Sequence, residues 1–210
     1  MYHGGICFVT DRKGCTLSTY AITDVVLKAG IRFIQYREKN LLRREIHEEA
    51  VRLREVTYSF GATLIINDHV DIALSVDADG VHLGQEDLPL KEARKIMGKK
   101  IVGISTHNLE QAREAERGGA DYIGFGPIFP TLTKVTGSPK GIDSIRLIKK
   151  NVNIPFVAIG GIQRDNMGTV FRAGADAVAL ATAICRGDVA ENAKQLVASL
   201  KDNKFGLLRS

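Results

Sequence analysis

At 210 residues, 44% hydrophobic and 25% charged, the chain is long enough to bury a full core without staples, and no run approaches the roughly 18 apolar residues of a membrane span. Its net charge of +5 comes from basic residues scattered among acids, with no tryptophan and no basic cluster interleaved with aromatics. That pattern argues against nucleic acid as a partner and fits an enzyme whose field concentrates anionic small molecules.

Eight short apolar runs succeed one another: Ile6–Thr10, Arg32–Tyr36, Thr63–Ile66, Gly80–Leu83, Ile101–Ser105, Tyr122–Gly126, Pro155–Ile159 and Ala177–Ala181. Most are apolar almost throughout rather than alternating, as parallel strands covered on both faces must be. Helical patterns fill the intervals. Leu42, Ile46, Ala50, Leu53 and Val56 share one face after the second run, and Val189, Ala193, Leu196, Val197 and Leu200 share another near the end. Ala29-Gly30, Gly119-Ala120-Asp121 and Gly174-Ala175-Asp176 punctuate the change from helix to strand, with glycine at the position that closes a helix. Eight strand–helix alternations predict a single (β/α)8 TIM barrel over residues 1–210, with a doubly wound open sheet as the alternative. The start MYHGGICFVTD lacks a signal-peptide layout, so a cytoplasmic location is expected. Cys7, Cys15 and Cys185 have no metal-type spacing and are expected to be reduced thiols.

In a barrel, function belongs at the C-terminal ends of the strands. The second strand runs into Gln35-Tyr36-Arg37-Glu38-Lys39. Residues two apart share a face, so Gln35, Arg37 and Lys39 can point together, with Arg a fork for phosphate oxygens and Lys a compact charge. A surface ion pair through Glu38 is the plainer alternative. The third and fourth strands end in Asn67-Asp68 and Gln85-Glu86-Asp87. Their aspartates suit either two helix caps or one Mg²⁺ site completed by water and substrate phosphate. The fifth strand ends in Ser105-Thr106-His107-Asn108, where Ser and Thr suit caps and His107 suits proton transfer. His82, inside the fourth strand, reads as a hydrogen-bonded barrel residue. After the sixth strand the longest connection carries Thr131, Thr133 and Lys134, two hydroxyls and an ammonium suited to a phosphorylated ligand. Gly160-Gly161 and Thr182 follow the seventh and eighth strands, where barrel enzymes often hold a phosphate with backbone N–H groups.

Together QYREK, IINDHVDIAL, DGVHLGQED, GISTHN, GADYIGFGPIFPTLTK and FVAIGGI resemble thiamine phosphate synthase over essentially the whole chain. HLGQED and GPIFPTLTK are the specific motifs. The resemblance implies a (β/α)8 barrel, and a transferase that joins hydroxymethylpyrimidine diphosphate to thiazole phosphate with Mg²⁺, giving thiamine phosphate and pyrophosphate. It implies that Arg37, Lys39 and Asn67 hold the diphosphate with Gln35 near the pyrimidine, and that Asp68 and Asp87 bind Mg²⁺. Ser105 and Lys134 would contact pyrophosphate or the reacting groups. Thr131 and Thr133, with the Gly161 and Thr182 backbone, would hold the thiazole phosphate. The chain departs from the family pattern at Thr182, where serine is usual, at His69, and in VTGSPKG after Lys134. Two alternatives share the scaffold: a TenI-type thiazole tautomerase using His107, which needs no diphosphate clamp, and a non-catalytic barrel that binds thiamine precursors.

Overall fold

A computed structural model describes residues 5–131 and 138–202. Eight parallel strands close in sequence order: β1 (Gly5–Val9), β2 (Phe33–Tyr36), β3 (Thr63–Asn67), β4 (Gly80–Leu83), β5 (Ile101–Thr106), β6 (Tyr122–Phe125), β7 (Phe156–Ile159) and β8 (Ala177–Leu180). Strand β1 pairs with both β2 and β8, so the sheet has no edge and the open doubly wound alternative is excluded. The helices are α1 (Thr19–Ala29), α2 (Arg43–Ser59), α3 (Val70–Ser75), α4 (Leu90–Met97), α5 (Leu109–Arg117), α6 (Gly141–Asn151), α7 (Arg164–Arg172), α8 (Thr182–Cys185) and α9 (Val189–Asp202). Among the described residues no helix is long and apolar enough to cross a membrane.

The two faces of each strand feed two separate apolar layers. Ile34, Leu64, Ile66, Val81, Val102, Ile123 and Val178 point outward into the cluster shared with the helices. Cys7, Val9, Phe33, Ile65, Tyr122, Val157, Ala177 and Ala179 form a second cluster inside the barrel. This double burial is why the strands read as unbroken apolar runs. On α2 the expected face holds at Ile46, Ala50, Leu53 and Val56, but Leu42 is the N-cap and is 74% exposed, because the helix begins one residue beyond it.

At the bottom of the barrel the aspartates that precede β4, β6 and β8 have a role that glycine spacing did not reveal. Asp79, Asp121 and Asp176 accept hydrogen bonds from the backbone N–H groups of Leu64, Val102 and Phe156. Each thus ties the entry of one even-numbered strand to the strand before it.

Interior volume is shared between glycine and aromatic side chains. Gly103 lies in register with Tyr122, and a Cβ on it would sit 2.2 Å from Tyr122 Cζ. Tyr122 is 2% exposed, packs edge-on against Phe33 with ring centroids 5.7 Å apart, and cannot yield. Overpacked core positions typically cost about 1–3 kcal/mol. Gly103→Ala is therefore expected to destabilise by about 2–3 kcal/mol in denaturant melts; an unchanged midpoint would show that Tyr122 can move aside.

Candidate active site

The interior row becomes polar as it reaches the C-terminal rim. Asn67 and His82 are register partners, as are Ser105 and Gly124, and all continue the inward face. Gln35 Nε2 donates to Asn67 Oδ1 at 2.9 Å. His82 bridges two neighbours, with Nδ1 2.9 Å from the Tyr122 hydroxyl and Nε2 2.9 Å from Ser105 Oγ. Gly124 leaves the space the imidazole needs, since a Cβ there would approach His82 Cε1 to 3.0 Å. Buried polar groups must be paired, and these pair with one another in a fixed layer beneath the opening. His82 is thus the hydrogen-bonded barrel residue its place inside a strand predicts, and it positions Ser105.

At the end of β2 the chain alternates its side chains. Gln35 and Arg37 face inward, and Arg37 lines the main cavity. Its guanidinium has no hydrogen-bonding or ion-pair partner among the described residues, while its backbone N–H is held by Thr10 Oγ1 at 2.8 Å. Glu38 turns the other way and is 6% exposed. It accepts from Arg12 Nε at 2.8 Å and from the N–H groups of Lys39 and Asn40, each at 2.7 Å. Arg12 also meets Glu49, which accepts from the Tyr36 hydroxyl at 2.8 Å. This bracket outside the barrel fixes the backbone that presents Arg37 and Lys39, and it uses Glu38 as an anchor rather than as a surface ion-pair partner.

Burial pushes the Glu38 carboxyl up, but the Asn40 N–H, the Arg12 guanidinium and the Lys39 N–H outweigh it and hold the group below its ordinary value of 4.5. A carboxylate with a depressed folded pKa stabilises the fold above the unfolded value and loses that contribution as pH falls through the folded one. Glu38→Gln is expected to lower the melting temperature at pH 7 and to flatten its decline below about pH 4.5. Melting curves parallel to wild type across that range would sink the assignment.

The carboxylates at the ends of β3 and β4 are not helix caps. The N-caps of α3 and α4 are His69 and Pro89. Likewise α5 is capped by Asn108, whose side chain accepts from Gln111 N–H, and not by Ser105 or Thr106. Asp68 adopts the left-handed backbone region at φ 65°, which aspartate tolerates better than most residues, and its carboxylate pairs with Lys39 Nζ. Asp87 accepts from Gly84 N–H at 2.6 Å. Partial burial raises the Asp87 pKa, and the adjacent Asp68 carboxylate raises it further against the lowering by Gly84 N–H and Lys39. The Asp68 and Asp87 carboxylates are therefore neighbours on the rim. Among the described residues no group of three or more His, Cys, Asp or Glu is placed to hold a metal ion.

Across the opening, the cavity is walled by Arg37, Ser105, His107, Gly126, Pro127, Thr131, Ile159, Gly160, Gly161, Ala181 and Thr182. Gly160 and Gly161 have φ of 99° and 64°. A Cβ on Gly161 would meet Pro130 O at 2.5 Å, so only glycine lets the chain pass here with its backbone toward the cavity. Asn166 Nδ2 holds the Gly161 carbonyl at 3.0 Å. His107 Nδ1 lies 3.0 Å from the Gly126 carbonyl; since that oxygen can only accept, the neutral ring keeps its proton on Nδ1 and leaves Nε2 as a base. Thr133 and Lys134 lie outside the described residues. Asp11 also lines this cavity and was not anticipated, although two-residue spacing from Val9 on β1 would have pointed to it.

The comparisons agree with one another. The sequence profile for thiamine monophosphate synthase matches residues 6–184. The chain is 48% identical to a thiamine-phosphate synthase of Chloroflexus aurantiacus over 180 residues, covering 85% of this chain and 83% of that one. It is 44% identical to a thiamine-phosphate synthase of Dictyoglomus turgidum over 203 residues, covering 95% and 91%. A solved thiamine phosphate pyrophosphorylase from Pyrococcus furiosus superposes with a TM-score of 0.88 at 37% identity, covering 95% of this chain and 96% of that one.

Proposed function

The chain belongs to the thiamine monophosphate synthase family, and we propose from that premise that it condenses hydroxymethylpyrimidine diphosphate with thiazole phosphate, releasing thiamine phosphate and pyrophosphate. One observation carries the reading at the level of residues. One half of the rim is cationic, with Arg37 lining the cavity and Lys39 paired to Asp68 beyond it, and the other half, Gly160, Gly161 and Thr182 after β7 and β8, lines the same cavity. Two phosphorylated substrates joined in one reaction need both halves; an isomerase acting on one phosphate needs only the second.

In this reading Arg37, Lys39 and Asn67 hold the diphosphate, and the Gln35–Asn67 pair orients the pyrimidine edge. Asp68 and Asp87 fit Mg²⁺, which accepts one or two carboxylates and keeps places for water and phosphate oxygens. When bound, the ion supplies charge neutralisation for the departing pyrophosphate. Ser105, with its hydroxyl fixed by His82, and Lys134 contact the leaving group. Thr131, Thr133 and the Gly161 and Thr182 backbone hold the thiazole phosphate. The methylene C–O bond breaks as Arg37 and Lys39 meet the growing negative charge, and the electron-rich aminopyrimidine stabilises the carbocation left behind. The thiazole nitrogen lone pair then forms the new C–N bond, so no general base is required. Preorganised charge whose contacts strengthen in the transition state is a sufficient catalytic device.

His107 keeps a second reading in view, because its Nε2, unbonded among the described residues, suits proton transfer on a thiazole. The deciding experiment supplies both phosphorylated precursors to the purified protein with Mg²⁺, then with a chelator. Thiamine phosphate should form only with the metal. Absence of product in both, with tautomerisation of a thiazole carboxylate phosphate that His107→Ala abolishes, would replace the synthase by the tautomerase. Saturable precursor binding with neither reaction would leave a binding barrel.

A further inference from the structure

Outside the reacting groups, the strongest unexplained pairing is between two cysteines far apart in sequence. Cys15 lies in the connection between β1 and α1, and Cys185 ends α8, the short helix that Thr182 begins. Both are free thiols; Cys185 is buried and Cys15 is half-buried. Cys15 Sγ is 4.0 Å from the Cys185 carbonyl oxygen, which brings the Cys15 thiol against the residue that carries the second one. Both elements also wall the thiazole-phosphate end of the cavity. A Cβ on Gly14 would lie 2.7 Å from Asp11 Oδ2 and 3.7 Å from Thr182 Cγ2, so the Asp11 carboxylate and the Thr182 methyl flank the residue next to Cys15. Two small half-apolar residues filling a core gap would account for the burial, but not for two cysteines meeting across 170 residues at the edge of the cavity.

We propose that Cys15 and Cys185 are a modification site that hydrogen peroxide converts into an intramolecular disulfide, and that the bridge weakens binding of the phosphate at Thr182. The Cys15 thiolate attacks one peroxide oxygen, the O–O bond breaks, and the leaving hydroxide takes up a proton as water. Cys185 then loses its proton, its sulfur displaces hydroxide from the Cys15 sulfenic acid, and a second water forms. The sulfurs together lose two electrons and the peroxide gains them. Burial raises the pKa of both thiols, and Asp11 raises each further, so the pair resists chance oxidation and reacts slowly. The order of attack follows exposure, since only Cys15 is partly open to solvent. A disulfide is about 2 Å long, shorter than a contact between thiols. Its formation draws the β1–α1 connection against α8 and moves the Asp11 carboxylate toward the phosphate site.

The test treats the full chain with hydrogen peroxide, alkylates it, and digests it without reduction. A Cys15–Cys185 crosslinked peptide two hydrogens lighter should appear, vanish on reduction, and be absent in Cys15→Ser and in Cys185→Ser while persisting in Cys7→Ser. Free Cys185 beside over-oxidised Cys15, or a crosslink only between chains, would overturn the site. The functional arm rests on the synthase reading. The bridged enzyme should show a KM for thiazole phosphate raised by about threefold or more, with the KM for the diphosphate unchanged, both restored by reduction. A bridged enzyme with an unaltered KM would overturn the coupling. An untreated protein that makes no thiamine phosphate would instead fail the synthase reading, and the peptide map would still decide the bridge.

Discussion

Replacement of Arg37 by alanine is expected to lower kcat/KM for thiamine phosphate formation by roughly 100- to 1000-fold, with little change in thermal stability. The guanidinium lines the cavity and has no side-chain partner among the described residues. Its removal therefore breaks no hydrogen bond or ion pair among the described residues, and changes of that kind typically stay within about 0.5 kcal/mol. Against a diphosphate it can make two charge-assisted hydrogen bonds, each contributing about 1.5–3 kcal/mol, and tenfold in rate corresponds to about 1.4 kcal/mol. Arg37→Lys should recover part of the loss, because lysine restores the charge without the planar fork. Steady-state kinetics with each substrate varied in turn decides the matter. A loss below about tenfold, or one that falls wholly on the thiazole phosphate, would remove Arg37 from the diphosphate clamp.

The second large effect is expected at the carboxylate pair. Asp87→Asn should raise the Mg²⁺ concentration for half-maximal rate by at least about 30-fold, since one unit charge contact near a protein surface is worth up to about 4 kcal/mol. The same variant should melt slightly higher than wild type in the absence of divalent ions. An acid whose folded pKa is raised destabilises the fold in its ionised form, and partial burial and Asp68 together raise that of Asp87. The gain should be present at neutral pH and disappear as pH falls below the ordinary carboxylate value of 3.8, where wild-type Asp87 is protonated as well. Asp68→Asn should also weaken Mg²⁺ activation, but without the stability gain, because it releases Lys39 from its ion pair. Unaltered Mg²⁺ dependence in both variants would leave the pair without a metal role.

These two predictions rest on residues that the sequence made legible to different degrees. Arg37 was readable because two-residue spacing in a strand determines which side chains share a face, and it follows Gln35 on the inward face. Lys39 reaches sideways to Asp68 instead of into the cavity, a choice made by a long flexible side chain and a neighbour 29 positions away. The aspartates were ambiguous for the opposite reason. Carboxylates after strands cap helices often enough that only the actual caps, His69 and Pro89, could separate the two readings. Asp11 carried the same two-residue signal from Val9, and the structure places it on the cavity wall.

By itself the sequence determined the architecture, eight doubly buried strands alternating with amphipathic helices, because burial on two faces leaves an unbroken apolar signature and burial on one leaves a stripe. It also determined the family, through motifs that continue from strand to rim. Only the tertiary structure decided which polar residues are brought together. The Gln35–Asn67 pair, the His82 bridge from Tyr122 to Ser105, the neighbouring Asp68 and Asp87, and the meeting of Cys15 with Cys185 all depend on barrel closure and strand register. Those are long-range pairings, and no local propensity or spacing within one segment encodes them.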